Sequence, residues 1–277
     1  RLWVGNGMNL NTIVEVKRPE SFDKIEWGDG HAWLGGGTWL FSEPQVNTHT
    51  LVDLERLGWP ALTVTEQGLD IAATCKIVEL HDFKGPPEWR SVPLFDKCID
   101  AFLMSFKIWN AATVGGNIIM SLPAGAMVSL TAALEGVLTL WPRKGEPRQI
   151  PVVDFVTGNH QNVLQPGELL RSIHLPASAL RKRFAMRQVS LTHLGRSAAL
   201  IVATVDDNDD NFLLTISAAT PRPIHLRFEK TPSAAELREA IDERLPADAW
   251  FQDVHGSAPY KRHVTHYLAE QIRAELS

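Results

Sequence analysis

Ala112-Thr113-Val114-Gly115-Gly116-Asn117-Ile118-Ile119-Met120 sets two adjacent glycines among apolar neighbours, and its reading decides how the rest of the chain is understood. A glycine inside a helix or strand costs roughly 0.5–1 kcal/mol relative to alanine. The pair at Gly115 and Gly116 therefore suggests backbone brought close to something that a side chain would obstruct. A second stretch of the same character lies upstream, where Leu34-Gly35-Gly36-Gly37-Thr38-Trp39 precedes Leu40-Phe41. Successive amides in a glycine loop form a concave nest suited to an anion such as phosphate, and Thr38 and Thr113 add hydroxyl donors beside each run. Two such loops are expected to grip one diphosphate from both sides. For either run alone, a glycine turn without a ligand is the competing reading, because a single glycine run is a weak signal.

The longer stretch Ile108-Trp109-Asn110-Ala111-Ala112-Thr113-Val114-Gly115-Gly116-Asn117-Ile118 closely resembles the IRNxATVGGNI signature of the FAD-binding medium subunits of molybdenum hydroxylases. These are the flavin subunits of enzymes of the carbon monoxide, nicotinate and xanthine dehydrogenase type. Leu34-Gly35-Gly36-Gly37-Thr38 resembles the LAGGT loop of that family at the expected distance upstream. Gln165-Pro166-Gly167-Glu168-Leu169-Leu170, with Ile173 and Pro176, resembles its PGELLxxIxLP segment. The resemblance runs from about Leu10 to the C-terminus.

It implies an α+β flavoprotein of the vanillyl-alcohol oxidase / p-cresol methylhydroxylase type. Two FAD-binding α+β lobes would occupy residues 8–60 and 61–177, and a C-terminal antiparallel-sheet-plus-helices domain residues 178–277. The implied diphosphate contacts are Gly35, Gly36, Gly37 and Thr38 in the first run, and Thr113, Gly115, Gly116 and Asn117 in the second, with Trp39 and Ala112 beside them. Leu34 and Ile118 would pack near the dinucleotide, and Leu170 near the adenine or the ring edge. Arg187 stands where some relatives place a lysine near the flavin carbonyl. Other positions depart from the family pattern. Trp39 follows the loop threonine in place of a polar residue, and Trp109 replaces the arginine of IRN. The SPxxDL segment, whose aspartate faces the ribose, reads Leu122-Pro123-Ala124-Gly125-Ala126-Met127, and Val189 to Ser197 does not read ARRxxDxA. These departures fall on the ribose contact and the re-oxidation side, not on the glycine runs.

Composition bounds the alternatives. A chain of 277 residues can hold two domains or one with a cap, and can bury a substantial core. Its hydrophobic share of 44% beside 21% charged residues is that of an ordinary globular protein. A net charge of −5 without a basic run argues against nucleic acid or an anionic membrane as the main partner. No apolar segment reaches the roughly 18 residues of a membrane span, and no secretory pattern is recognised, so a cytoplasmic location is expected. Cys75 and Cys98 cannot hold an iron–sulfur cluster, which needs about four thiolates, and are expected to be reduced thiols. Electrons handled by this chain must then come from a redox centre elsewhere or from a diffusible donor.

Along the chain, the fold is expected to start near Met8. Strands are expected at Thr12 to Val16, Ala32 to Leu34 and Thr50 to Leu54, with a short helix over Glu20 to Ile25, as a small βαβ-like lobe. Period-two alternation marks strands at Leu62 to Thr65 and Gly68 to Thr74. Helical spacing covers Ile77 to Phe83, Val92 to Phe106 and Ala126 to Glu135, and Gly136 to Trp141 turns at Arg143 to Glu146 into Arg148 to Ile150. Three antiparallel strands follow at Phe184 to Val189, Ala198 to Val205 and Phe212 to Ala218. The acidic Asp206 to Asn211 lacks the glycine and glutamate of a calcium loop and reads as a solvated turn. Ser233 with Glu236 forms a capping box ahead of a helix to Arg244, and Pro259 to Leu276 is a last helix. His255, His263 and His266 lack acidic or thiol partners at ligand spacing, so surface histidines are expected and no metal.

The function implied by the resemblance is electron transfer through non-covalently bound FAD. Electrons would come from a small 2Fe-2S subunit fed by a large molybdopterin subunit and pass to an external acceptor. In such flavoproteins the cofactor performs the redox step, so no acid–base catalytic residue is expected. The alternatives are a structural subunit that has lost competent flavin, and a stand-alone FAD oxidoreductase on the same fold, akin to enolpyruvyl-glucosamine reductases, which would need a serine or other proton donor in the C-terminal domain.

Overall fold

The computed structural model describes residues 12–101, 105–193 and 195–277. The expected start at Met8 lies outside them. The chain opens with β1 (Glu15–Lys17), β2 (His31–Leu34) and β3 (Thr50–Asp53), which form a parallel sheet in the order β1-β3-β2. The expected helix over Glu20 to Ile25 is a single 3-10 turn, Phe22–Lys24, with no side-chain cap at Ser21. Aromatic packing holds this segment instead. Phe22 stacks on Trp33 at 6.2 Å and meets Trp141 edge-on at 5.1 Å, while Trp27 stacks on Trp33 at 4.2 Å. Pairs of this kind contribute about 0.5–1.5 kcal/mol beyond their buried area.

The second sheet has five strands in the order β4-β5-β10-β6-β7. Between β4 (Leu62–Thr65), β5 (Gly68–Ala72) and the rest of that sheet lie five helices: α1 (Ile77–His81), α2 (Pro93–Asp100), α3 (Phe106–Trp109), α4 (Val114–Met120) and α5 (Ala126–Ala133). The helix expected over Val92 to Phe106 is thus two helices; α2 ends at Asp100, and residues 102–104 lie outside the described ones. β6 (Val137–Trp141) turns into β7 (Arg148–Pro151), which leads through α6 (Val152–Phe155) to a small hairpin of β8 (Val156–Gly158) and β9 (Gln161–Asn162). β10 (Leu169–Pro176), the segment following Gly167-Glu168, is the central strand between β5 and β6.

After α7 (Ala177–Arg181) the chain forms an antiparallel sheet of β11 (Arg183–Ser190), β12 (Ser197–Val205), β13 (Phe212–Ser217) and β14 (Ile224–Phe228). The fourth strand was not expected, although Ile224-His225-Leu226-Arg227-Phe228 alternates with period two. Every residue of β12 is buried because the sheet is covered on both faces. α5 packs on one face and α9 (Ala258–Leu276) on the other, beside α8 (Ala234–Arg244), whose cap is the expected Ser233–Glu236 box. α5 is buried on all sides: six of its residues are apolar, and the hydroxyls of Ser129 and Thr131 donate to the backbone carbonyls of Gly125 and Met127. It joins the C-terminal sheet to α2 and α4, and Ser129 Oγ meets Ser217 Oγ at 2.7 Å within that contact. Cys75 and Cys98 are free and buried, and burial pushes each thiol up to about 12. Among the described residues no helix is long and apolar enough to cross a membrane.

Candidate functional site

The two glycine runs meet. The first leaves the end of β2 and begins the connection to β3, and Phe41 N donates to Gly37 O at 2.8 Å to close its turn. Gly37 sits at φ +70°, a conformation open to glycine, and a β-carbon there would also strike the Phe41 ring at 2.5 Å. Gly36 lies so close to the second run that a β-carbon would stand 1.7 Å from the Ala111 carbonyl oxygen. Among the described residues, the amides of Gly36, Gly37, Thr38 and Trp39 donate to no hydrogen-bond acceptor. This is the row of free donors an anion nest needs.

The second run is not the loop that the sequence suggested. Thr113 is the N-cap of α4, its Oγ1 accepting from the Gly116 amide at 3.1 Å, and both glycines lie in the first helical turn. The segment before it runs beside residues 73–77: Ile77 N donates to Ala112 O at 3.0 Å, Val114 N to Cys75 O at 2.8 Å and Gly115 N to Ala73 O at 3.0 Å. The amides of Val114, Gly115, Gly116 and Asn117 at this helix start are therefore already engaged, and the row of free ones among the described residues lies in the first run. Gly115 is buried against Ala73, whose α-carbon would be 2.7 Å from an added β-carbon, whereas Gly116 is exposed and an added β-carbon meets only Thr113 Oγ1, at 2.9 Å. Asn117 Oδ1 accepts from Met127 N at 3.0 Å and so fixes the start of α5 across the turn.

Both runs open onto one cavity of about 1080 Å³. That is at the upper end of the roughly 300–1,000 Å³ usual for small-molecule sites and suits a ligand of dinucleotide size. Of the residues singled out from the sequence, Leu34, Gly35, Gly36, Gly37, Thr38, Trp39, Ala112, Thr113, Gly115, Gly116, Asn117 and Leu170 line it. Two do not. Ile118 is fully buried in the apolar core, because it lies on the face of α4 turned away from the cavity. Arg187 sits within β11 and pairs with Glu275 of the last helix. Ala126 is buried too, and the cavity is faced at that point by Leu122, Pro123 and Ala124.

The C-terminal part supplies the wall that sequence reasoning missed. Arg196, Ser197 and Ala218 come from the ends of β12 and β13, and Phe251, Asp253 and His255 from the turn before α9. These residues carry no local motif; the Ala218 amide donates to Pro123 O at 2.8 Å and Phe251 N to Ala219 O at 2.9 Å, and those long-range bonds hold the end of β13 and the turn before α9 at the cavity. His255 is consequently a lining residue and not the surface histidine expected. Trp39 and His160 approach across the opposite wall, ring centres 5.5 Å apart. Asp253 is the one carboxylate among the described lining residues, and the fully buried Lys261 pairs with it at 2.9 Å. Arg196 is exposed at the wall and has no ion-pair partner among the described residues. An anionic ligand therefore meets no unpaired negative charge.

Behind the site, Glu168 anchors the first lobe to the second. Its carbonyl accepts from Trp33 Nε1 at 3.0 Å, and its side chain, 2% exposed, takes both Arg148 Nε and Nη2 at 2.7 Å and the Gln165 amide at 3.0 Å. Burial alone would raise this carboxyl, but the Arg148 fork and the Gln165 amide leave it below its ordinary value.

Residues 8–178 match the family described as the FAD binding domain in molybdopterin dehydrogenase. The chain is 21% identical to the 6-hydroxypseudooxynicotine dehydrogenase complex subunit alpha of Paenarthrobacter nicotinovorans, covering 93% of this chain and 95% of that one. It is 24% identical to the carbon monoxide dehydrogenase medium chain of Hydrogenophaga pseudoflava, over 84% of this chain and 82% of the relative. The fold superposes on the solved carbon monoxide dehydrogenase of Hydrogenophaga pseudoflava with a TM-score of 0.76 at 18% identity, over 94% of this chain and 96% of that one.

Proposed function

The chain belongs to the family of FAD-binding domains of molybdopterin dehydrogenases, and on that premise we propose that it is the FAD-binding, electron-transferring medium subunit of a molybdenum-containing hydroxylase. FAD, the cofactor of that family, supplies the redox chemistry when bound; the residues of this chain bind and orient it. The observation that carries the reading is the row of unengaged amides from Gly36 to Trp39, opening onto a dinucleotide-sized cavity that holds no unpaired negative charge. Those amides and the Thr38 hydroxyl hold the diphosphate. Thr113, whose oxygen already accepts from Gly116, keeps its own hydrogen free to donate from the other side. Gly116 leaves the space a side chain would fill.

Its fold is of the vanillyl-alcohol oxidase type, with lobes at residues 8–60 and 61–177 and the C-terminal domain at 178–277; the three larger sheets, one in each part, support that division. Two buried free thiols cannot hold a cluster. Electrons accordingly reach the flavin from a small 2Fe-2S subunit, itself fed by a large molybdopterin subunit, in the cytoplasm. The buried Ser197 on the C-terminal wall is a feature that favours a stand-alone flavin oxidoreductase. Co-expression with the two partner subunits separates the readings. The complex should bleach its flavin with the organic substrate while the isolated chain does not; rapid reduction in the isolated chain overturns the subunit reading.

A further inference from the structure

The most unusual buried group in the molecule lies just behind the C-terminal wall of the cavity. Lys261, on the first turns of α9, is 0% exposed, and a lysine is almost never buried without a partner. Its Nζ has two partners and one aromatic neighbour: Asp253 Oδ1 at 2.9 Å, Ala218 O at 3.2 Å and the Phe251 ring centre at 5.0 Å. All three residues line the cavity. One ammonium on the last helix thus holds together the strand end at Ala218 and the turn at Phe251 to Asp253. Ala218 itself sits at φ +64°, a conformation an alanine keeps only when its surroundings impose it.

Asp253 is held on one side only. Its Oδ1 forms the ion pair with Lys261 and accepts from the His255 amide, each at 2.9 Å, whereas Oδ2 has no hydrogen-bond partner among the described residues. A quarter of the side chain remains exposed at the cavity wall. Because Ala126 offers no acceptor and is buried away from the cavity, Asp253 is the carboxylate left to face a ligand's N–H or O–H groups.

Building on the FAD reading above, we infer that Asp253, held and neutralised by Lys261, is the hydrogen-bond acceptor that the C-terminal domain presents to a hydroxyl or N–H donor of the bound dinucleotide. Lys261 is the positioning residue of this pair. It offsets a carboxylate that would otherwise repel the diphosphate, and it fixes which oxygen faces the cavity. The C-terminal domain therefore takes part in binding the cofactor instead of only covering it.

A double-mutant cycle on the full chain tests this, with FAD affinity read from quenching of flavin fluorescence and folding from circular dichroism. Asp253→Asn keeps the turn and the contact to Lys261 but replaces the outward acceptor with an amide donor; affinity should fall roughly tenfold, the loss of one charge-assisted hydrogen bond. Lys261→Met leaves a bare carboxylate beside the diphosphate and should lose more than that. In the double variant Lys261→Met adds nothing to the Asp253→Asn loss, because the charge it neutralised is gone. Losses that simply multiply would reduce Lys261 to packing and overturn the inference. So would wild-type affinity in Asp253→Asn, which decides the matter alone if Lys261→Met fails to fold. A wild-type chain that takes up no FAD overturns the parent reading and this one with it; a wild type that binds beside variants that match it overturns this one only.

Discussion

Gly36 faces the carbonyl oxygen of Ala111 so closely that a β-carbon on Gly36 would lie 1.7 Å from it. The two motif runs are therefore pressed backbone to backbone, 75 residues apart in the chain, and the site exists because they meet. Gly36→Ala must push them apart. Overpacking a fixed backbone costs about 1–3 kcal/mol, sometimes more, and a contact with a carbonyl oxygen that cannot swing aside belongs at the upper end. A lowered melting temperature together with loss of FAD binding is the expected result of that single methyl group.

The paired glycines of α4 should respond oppositely. Gly115→Ala drives a methyl group into the α-carbon and carbonyl of Ala73 and should destabilise the fold by a comparable amount, with or without flavin. Gly116→Val projects from an exposed position toward the cavity and the Thr113 hydroxyl. That variant should remain folded by circular dichroism while its FAD affinity collapses. Equal melting temperatures for Gly115→Ala and wild type would contradict the packing assigned here.

The sequence announced that these runs matter but not why each glycine is needed. Local reasoning credited all of them to the ligand, yet Gly36 and Gly115 answer to Ala111 and Ala73, contacts that only the tertiary fold creates. The glycine pair also hid a helix start, since Thr113 caps α4 through a turn of poor helix propensity. Most sheets were legible from alternation, and the capping box of α8 from four residues. The C-terminal wall was not: Arg196, Asp253 and His255 sit between elements without a motif, and it is the tertiary fold, through contacts such as Phe251 N to Ala219 O and Lys261 to Asp253, that carries this wall to the cavity. Arg187, placed at the flavin by resemblance, is instead tied to Glu275.

Glu168 makes stability pH-dependent. The Arg148 fork and the Gln165 amide, outweighing burial, hold its folded carboxyl below the ordinary value. A depressed folded pKa stabilises the protein above the ordinary glutamate range, and that contribution is lost as pH falls through the folded value. Arg148→Met leaves the buried carboxylate with the Gln165 amide alone and should cost about 1–3 kcal/mol or more at neutral pH. The difference in melting temperature between wild type and variant should shrink on acidification; a difference independent of pH would show that the pair does not act through charge.

Flavin content of the purified, FAD-reconstituted chain is the most direct measurement. One FAD per chain should be bound, and acid precipitation should release it all into the supernatant, because neither glycine run offers a histidine, cysteine or tyrosine for covalent attachment. Failure to bind FAD, or a pellet that stays yellow, would contradict the site described here.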